Sequence, residues 1–291
     1  MIIRDTGIKP VIRQFRSDPF IFRTIVPEAG YEWVKGHGSE LYLVSKGEDS
    51  GFAWVKEPTA MNPGLFVEFA NVKPSKDPIL QFANNWGDIF FRGELLPDHS
   101  RKRKAIAIGE SLEAWKDAID QMRVLVRLWE AIKDHKNKSK RAELQKIITW
   151  VEGGVRYAIN FKRGSSHSWL AHPKVSSPSK ETLLARLTPG DVVWPAKHAL
   201  QAEINRRISD ESLPIFPQLI WTHERNQRII FTPKCLLAAM WLQFAQAITQ
   251  EFQLRVCEGC GKYFQFGPGG KKRADAKTCS DACRQRKRRK K

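Results

Sequence analysis

Cysteine is scarce and acid is outnumbered. Five cysteines in 291 residues, four of them crowded near one end, do not form the evenly spread framework of a disulfide-stapled domain. No apolar run reaches membrane-spanning length: the strongest, Cys235 to Ile248, is interrupted by Gln243 and Gln246. The N-terminus, Met1-Ile2-Ile3-Arg4-Asp5, has neither the basic head nor the apolar core of a secretion signal, so the expected location is the reducing cytoplasm, away from membranes. Also missing are a phosphate-binding glycine loop, a Gly-x-Ser-x-Gly elbow, a His-Glu-x-x-His helix and any long-period repeat. What is present is ample core material: 42% hydrophobic residues, with ten Trp and sixteen Phe, excludes wholesale disorder.

The 49 basic residues against 31 acidic give a net charge of +18, and the excess is uneven. Residues 255–291 hold thirteen Lys or Arg and three acids. Elsewhere the charge is thin, apart from Arg101-Lys102-Arg103-Lys104 and the stretch from Lys133 to Arg141. Clustering of this kind points to an anionic partner for the C-terminal end.

Periodicity predicts an α+β fold. Aromatic and β-branched runs between Phe20 and Val72, such as Glu40–Val44 and Gly51–Val55, read as a β-rich N-terminal region. Ser75 is the expected cap of a helix stopped by Gly93 and Pro97. Leu112, Trp115, Ile119, Met122, Val126 and Trp129 recur every three or four residues, the clearest helical stripe in the chain. A second helix is expected over about Ala142 to Val151. Together these make residues 1–160 a mixed β and helical domain of unassigned role. Residues 161–180, rich in serine and without an apolar period, read as a loop or linker. Within them His167 and His172 do not amount to a metal site. Residues 181–254 are expected to hold a helix near Val192 to Ile208, a hairpin of Ile215 to Trp221 with Arg228 to Phe231, and a helix capped by Thr232-Pro233 that runs to about Gln250. Cys235 at its start reads as a core residue rather than a nucleophile.

Residues 255–291 carry the chemistry. Cys257 and Cys260 form a C-x2-C knuckle, and after eighteen intervening residues Cys279 and Cys283 form a C-x3-C pair. Two intervening residues let a tight turn aim both sulfurs at one ion, and positions i and i+4 share a helix face. Four thiolates fit one tetrahedral Zn2+; with no ligand position left for water, that zinc is structural. The gaps match neither familiar ferredoxin spacing.

The knuckle, the aromatic strand Lys262-Tyr263-Phe264-Gln265-Phe266, the Gly/Pro loop from Gly267 to Gly270, the basic stretch and the Cys-x3-Cys helix occur in the order of a treble-clef zinc finger, which this region resembles. With its preceding hairpin and apolar helix, the region from about residue 213 onward resembles the C-terminal half of the bacterial CGNR zinc-finger proteins, regarded as transcription regulators. Here Cys283-Arg284-Gln285-Arg286 stands where that family has Cys-Gly-Asn-Arg.

After Cys283 come seven cations in eight residues, with no apolar face to bury. Such a helix is better relieved by phosphates than by packing. Four thiolates on a divalent ion leave the finger near +8, enough to meet several phosphates. The residues expected to contact nucleic acid are Lys271, Lys272, Arg273, Lys277, Arg284, Gln285, Arg286, Lys287, Arg288, Arg289, Lys290 and Lys291. Base reading falls to Arg284 or Arg286 on guanine, or Gln285 on adenine. DNA is the preferred partner. RNA, with Tyr263 and Phe264 as stacking platforms, is the alternative, and a protein-interaction scaffold with a structural zinc finger is another. The N-terminal part is expected to sense or to oligomerise. No enzyme activity is expected: Asp98 with Glu113 and Lys116 superficially matches a metal-dependent nuclease, but Glu113 to Lys116 lies on the clearest helix rather than on a converging strand.

Overall fold

Short runs of β-branched and aromatic residues separated by turns fold into several small antiparallel sheets rather than one large one. The computed structural model describes residues 22–36, 39–46, 53–90, 94–96, 107–152, 154–171, 187–221, 227–249, 253–267 and 272–289. They belong to two compact units, one within 1–116 and 207–291 and the other within 117–206. The fold class is α+β, as its pattern predicts.

In the first unit β1 (Thr24–Pro27) pairs with β4 (Ala53–Lys56). A four-stranded sheet has the order β2-β3-β6-β5, with β2 Tyr31–Lys35, β3 Leu41–Ser45, β5 Glu94–Leu96 and β6 Ala107–Ser111. The expected β-rich region ends early, because Pro58 opens α1 (Pro58–Met61), followed by α2 (Leu65–Ala70) and α3 (Lys76–Trp86). Five of the six α2 residues are buried, so its apolar run reflects burial on nearly every side, a pattern that does not distinguish helix from strand by period. Ser75 is the N-cap residue of α3 as expected, but Gly87 ends the helix, leaving Ile89 and Phe90 beyond it.

Hairpin strands β10 (Ile215–Trp221) and β11 (Gln227–Pro233) lead to α7 (Leu236–Thr249). Thr232 and Pro233 belong to β11 rather than capping the helix, since the ladder continues to the pairs Phe216 with Thr232 and Ile215 with Pro233. Helix α7 is buried from Leu236 to Phe244. Its Phe244 ring stacks on Phe66 of α2 with centroids 4.9 Å apart. Gln243, which interrupts the apolar run, is buried too: its amide nitrogen donates to Thr59 O (3.2 Å) and Asn62 O (2.9 Å), and its oxygen accepts from Phe66 N (3.3 Å). A buried amide is retained at little cost when its partners are fixed backbone groups. This latch ties the helix that precedes the cysteine cluster to α1 and α2.

The second unit holds the sheet β7 (Ile148–Val151), β8 (Gly154–Asn160) and β9 (Ser165–Ala171), together with α5 (Lys138–Ile147), residues 193–206 of α6 (Val193–Ile208) and residues 117–133 of α4 (Leu112–Lys133). The predicted stripe on α4 is buried at Trp115, Ile119, Met122 and Val126. The second expected helix lies earlier than its pattern suggested, capped by Asn137, whose side chain accepts from Ser139 N at 2.9 Å. Strand β9 falls inside the stretch read as loop or linker, pairing with β8 from Asn160–Ser165 to Arg156–Trp169, after which the register shifts before Val155–Ala171. Buried Glu203 joins α6 to this sheet, accepting from Tyr157 (3.2 Å), from Ser166 and from Arg206 (2.7 and 3.2 Å).

Candidate metal centre and its basic helix

The chain turns out of α7 into β12 (Gln253–Val256), which pairs antiparallel with β13 (Tyr263–Phe266). Between them Cys257 and Cys260 sit on a turn closed by Gly261 N to Cys257 O (2.8 Å) and Cys257 N to Lys262 O (2.8 Å). Cys279 and Cys283 arrive from the other side, at the start of α8 (Asp281–Arg289). The four sulfurs lie within 4.8 Å of one another, the only such group of potential metal-ligating side chains among the described residues. Two of the separations are 3.6 Å (Cys260–Cys279) and 3.5 Å (Cys279–Cys283). A tetrahedron with metal–sulfur bonds of about 2.3 Å has an edge of about 3.8 Å, so the four cysteines fit a small zinc site.

Local sequence explains how they converge. Ser280 Oγ accepts from Cys283 N at 3.2 Å, an N-cap that starts α8 beside Cys279. Gly259 permits the knuckle to touch that helix: a Cβ there would lie 2.5 Å from Cys283 O. Phe264 and Phe266 are buried and pack with Cys257 and Cys283 into a small core, joined at its edge by Cys260, Ala276 and Cys279. Arg255 lies over the Phe266 ring at 3.9 Å and donates to Ala276 O at 2.6 Å, fastening the inter-knuckle loop to the hairpin. Glu258 N donates to Lys277 O at 3.0 Å from the same loop.

The thiols are not equivalent. Burial opposes charge on Cys257, but N–H groups of Cys279 (3.2 Å), Gly259 (3.4 Å) and Cys260 point at its sulfur and outweigh that penalty, bringing its pKa down to about 6. Burial and the neighbouring thiols push Cys279 up to about 12. Cys257 is therefore the thiolate the protein prepares by itself, whereas a cation is needed to draw protons from Cys260 and Cys279, which are both held above the ordinary thiol range. Cys235, by contrast, is buried at the start of α7 and pushed up to about 12 by that burial, consistent with a core role.

The predicted contact residues distribute over two segments. Lys272, Arg273 and Lys277 are exposed on the loop between the cysteine pairs. Arg284, Gln285, Arg286, Lys287, Arg288 and Arg289 are on α8. Lys271, Lys290 and Lys291 lie outside the described residues, as do Asp98 and His172. Lys287 pairs with Glu258 and Arg284 with Asp281 at 3.0 Å. Tyr263 is not a free platform: it lies against Gly64, where a Cβ would collide with the Tyr263 side chain. Phe264 is 5% exposed. Of the nuclease-like residues, Glu113 and Lys116 bond each other at 2.7 Å along α4. His167 stands exposed on β9.

Sequence reasoning missed Arg255, Glu258 and Gly64. An acid inside a knuckle surrounded by cations was the available signal for Glu258. No local pattern links Gly64 to a tyrosine so far along the chain.

It also missed a polar cluster in the first unit. Glu110, buried, accepts from Ile89 N (3.2 Å) and Phe90 N (2.5 Å), which pins the chain after α3. Burial first, and then Asp88, push its carboxyl up to about 8. Asp88 N donates to Tyr31 Oη at 3.3 Å, and these residues line a cavity of about 520 Å3 with Cys235 and Lys234.

No helix among the described residues is long and apolar enough to cross a membrane. No protein-family model, curated protein or solved structure matches the chain.

Proposed function

We propose that the protein binds nucleic acid through a zinc-stabilised C-terminal finger of treble-clef type, acting as a DNA-binding transcription regulator of the kind its resemblance to the CGNR zinc-finger proteins implies. The metal is Zn2+, held by Cys257, Cys260, Cys279 and Cys283. An all-thiolate tetrahedral site leaves no position for water or substrate, so the ion organises structure rather than performing a reaction. The larger part of the chain senses or oligomerises.

The observation that carries this reading is the state of α8. Its first turn is anchored by Cys283 and capped by Ser280, yet Arg286, Arg288 and Arg289 have no anionic partner among the described residues. A metal-anchored helix with unneutralised cations suits a phosphate backbone, whose counterions are released on contact. Duplex DNA is favoured over single-stranded RNA because the finger's aromatic residues are spent on packing. Phe264 and Phe266 fill the core beside the cysteines and Tyr263 is pressed against Gly64, which leaves no stacking surface for unpaired bases.

Binding of the zinc-loaded full chain to labelled duplex DNA across a salt series tests the proposal. Truncation after Cys283 is expected to weaken binding and to reduce the slope of log K against log salt by roughly 3 to 4 if about four cations meet phosphates. Equal binding by both chains at every salt concentration would overturn it and favour the protein-interaction scaffold.

A further inference from the structure

We infer that α8 meets its nucleic acid with one face, Gln285, Arg288 and Arg289, with Gln285 as the specificity-determining residue, while Glu258 holds Lys287 inward as a positioning strut. This rests on the nucleic-acid reading above and divides the basic residues into those that contact and those that hold.

At about 100° per residue, Arg284 and Arg286 point about 160° apart, so they cannot both address one groove with Gln285 between them. Cys283 marks the inward direction, since its side chain is buried against the metal cluster. Lys287, one turn on, shares that direction. Its ammonium pairs with Glu258 Oε2 and its side chain is 34% exposed, against 61% for Arg284. Glu258 is itself fixed, because its backbone N–H donates to Lys277 O at 3.0 Å. The pair therefore joins the first knuckle to the second turn of α8, past the point where the metal acts directly. A strut is useful there because the helix has no apolar residue after Cys283 to seat it.

Opposite this inward edge lie Gln285, Arg288 and Arg289, spaced i, i+3 and i+4 and all exposed. Arg284 sits on a flank and is paired with Asp281 on the surface, a contact weak enough to yield to a phosphate. On the outward face Gln285 carries the one neutral side chain with both a donor and an acceptor, the combination that pairs with the N6 and N7 positions of adenine in the major groove. Two flanking guanidinium groups supply backbone contacts that hold it there.

The test uses the full zinc-loaded chain, with zinc content measured for every variant, on duplexes selected from a random pool and on a scrambled duplex. Arg288→Gln with Arg289→Gln should weaken binding to both duplexes and lower the salt slope by about 2. Lys287→Gln should leave the slope unchanged. Gln285→Ala should narrow the preference for the selected over the scrambled duplex by about tenfold with the slope intact. Glu258→Lys or Lys287→Glu alone should weaken binding, and the double exchange should restore it, because the strut re-forms with its charges reversed at unchanged net charge. If the wild type binds duplexes but the slope falls with Lys287→Gln and not with the Arg288 and Arg289 pair, the division is wrong although the nucleic-acid reading stands. Absence of binding by the wild type to duplex or single strand would remove both.

Discussion

The finger and the 117–206 unit reach order by opposite means. In the finger the described core is Phe264, Phe266, Ala276 and four cysteines, and five of the nine residues of its terminal helix are cationic. In the 117–206 unit Ile119, Met122, Leu125 and Leu128 of α4, Leu144 of α5 and Val155 and Ile159 of β8 are buried, which is ordinary hydrophobic stabilisation. Its buried carboxylate, Glu203, is partnered within the unit by Tyr157, Ser166 and Arg206. The finger instead spends most of its charge outward. On the proposed reading, a segment that presents cations to a phosphate partner has few residues left for a core, and a metal held by the four cysteines would supply the missing cohesion.

Metal removal breaks this comparison most sharply. Chelation is expected to abolish hydrogen-exchange protection across residues 253–289, since structural zinc is worth about 10–16 kcal/mol in isolated fingers. Amides of 117–206 should be unaffected. Loss of protection throughout the chain would mean that the sheet unit also depends on the metal. The reciprocal experiment is Leu125→Ala, at a fully buried position. It should cost the 117–206 unit about 2–5 kcal/mol in urea unfolding and leave one zinc per chain.

A smaller effect separates the two buried carboxylates. For Glu203, burial acts to raise the pKa, but hydrogen bonds from Ser166 and Arg206 prevail and hold it below the ordinary range. Its folded-state value is depressed, so its contribution is present above the unfolded pKa and is lost on acidification. Glu110 behaves in the reverse sense: raised from 4.5 to about 8, it contributes fully below the unfolded value and is lost as pH rises through about 8. Hydrogen exchange over a pH series should show the 117–206 unit weakening as pH falls below 4.5 and the first unit weakening as pH rises from 4.5 to about 8. Glu203→Gln should flatten the former and Glu110→Gln the latter.

How far these regions could be read in advance follows from the same contrast. The cysteine spacing led directly to the cluster, because ligand geometry is local. The stripe through Trp115, Ile119, Met122 and Val126 was legible for a similar reason, being one amphipathic period repeated. Strand β9 was hidden because Ser165, His167 and Ser168 are exposed; the strand is defined by its ladder with β8, which leaves no alternating apolar signature. Thr232-Pro233 looked like a helix start and became the end of a strand, since pairing with Ile215 and Phe216 overrode the local cap signal. Gln243 read as a defect in an apolar run, and its value as a latch depends on backbone groups at 59, 62 and 66 that no local window contains.

The contact between Tyr263 and Gly64 bears on portability. A finger excised at residue 253 would keep its ligands, its aromatic pair and its cap, but would carry into water a tyrosine whose seat was left behind at the start of α2. Grafted onto another scaffold, it would need a glycine presented at the same spot. The unit of exchange is therefore the finger together with α2 and the helix latched to it, and a recombination that respects only the cysteine motif would move too little of the chain.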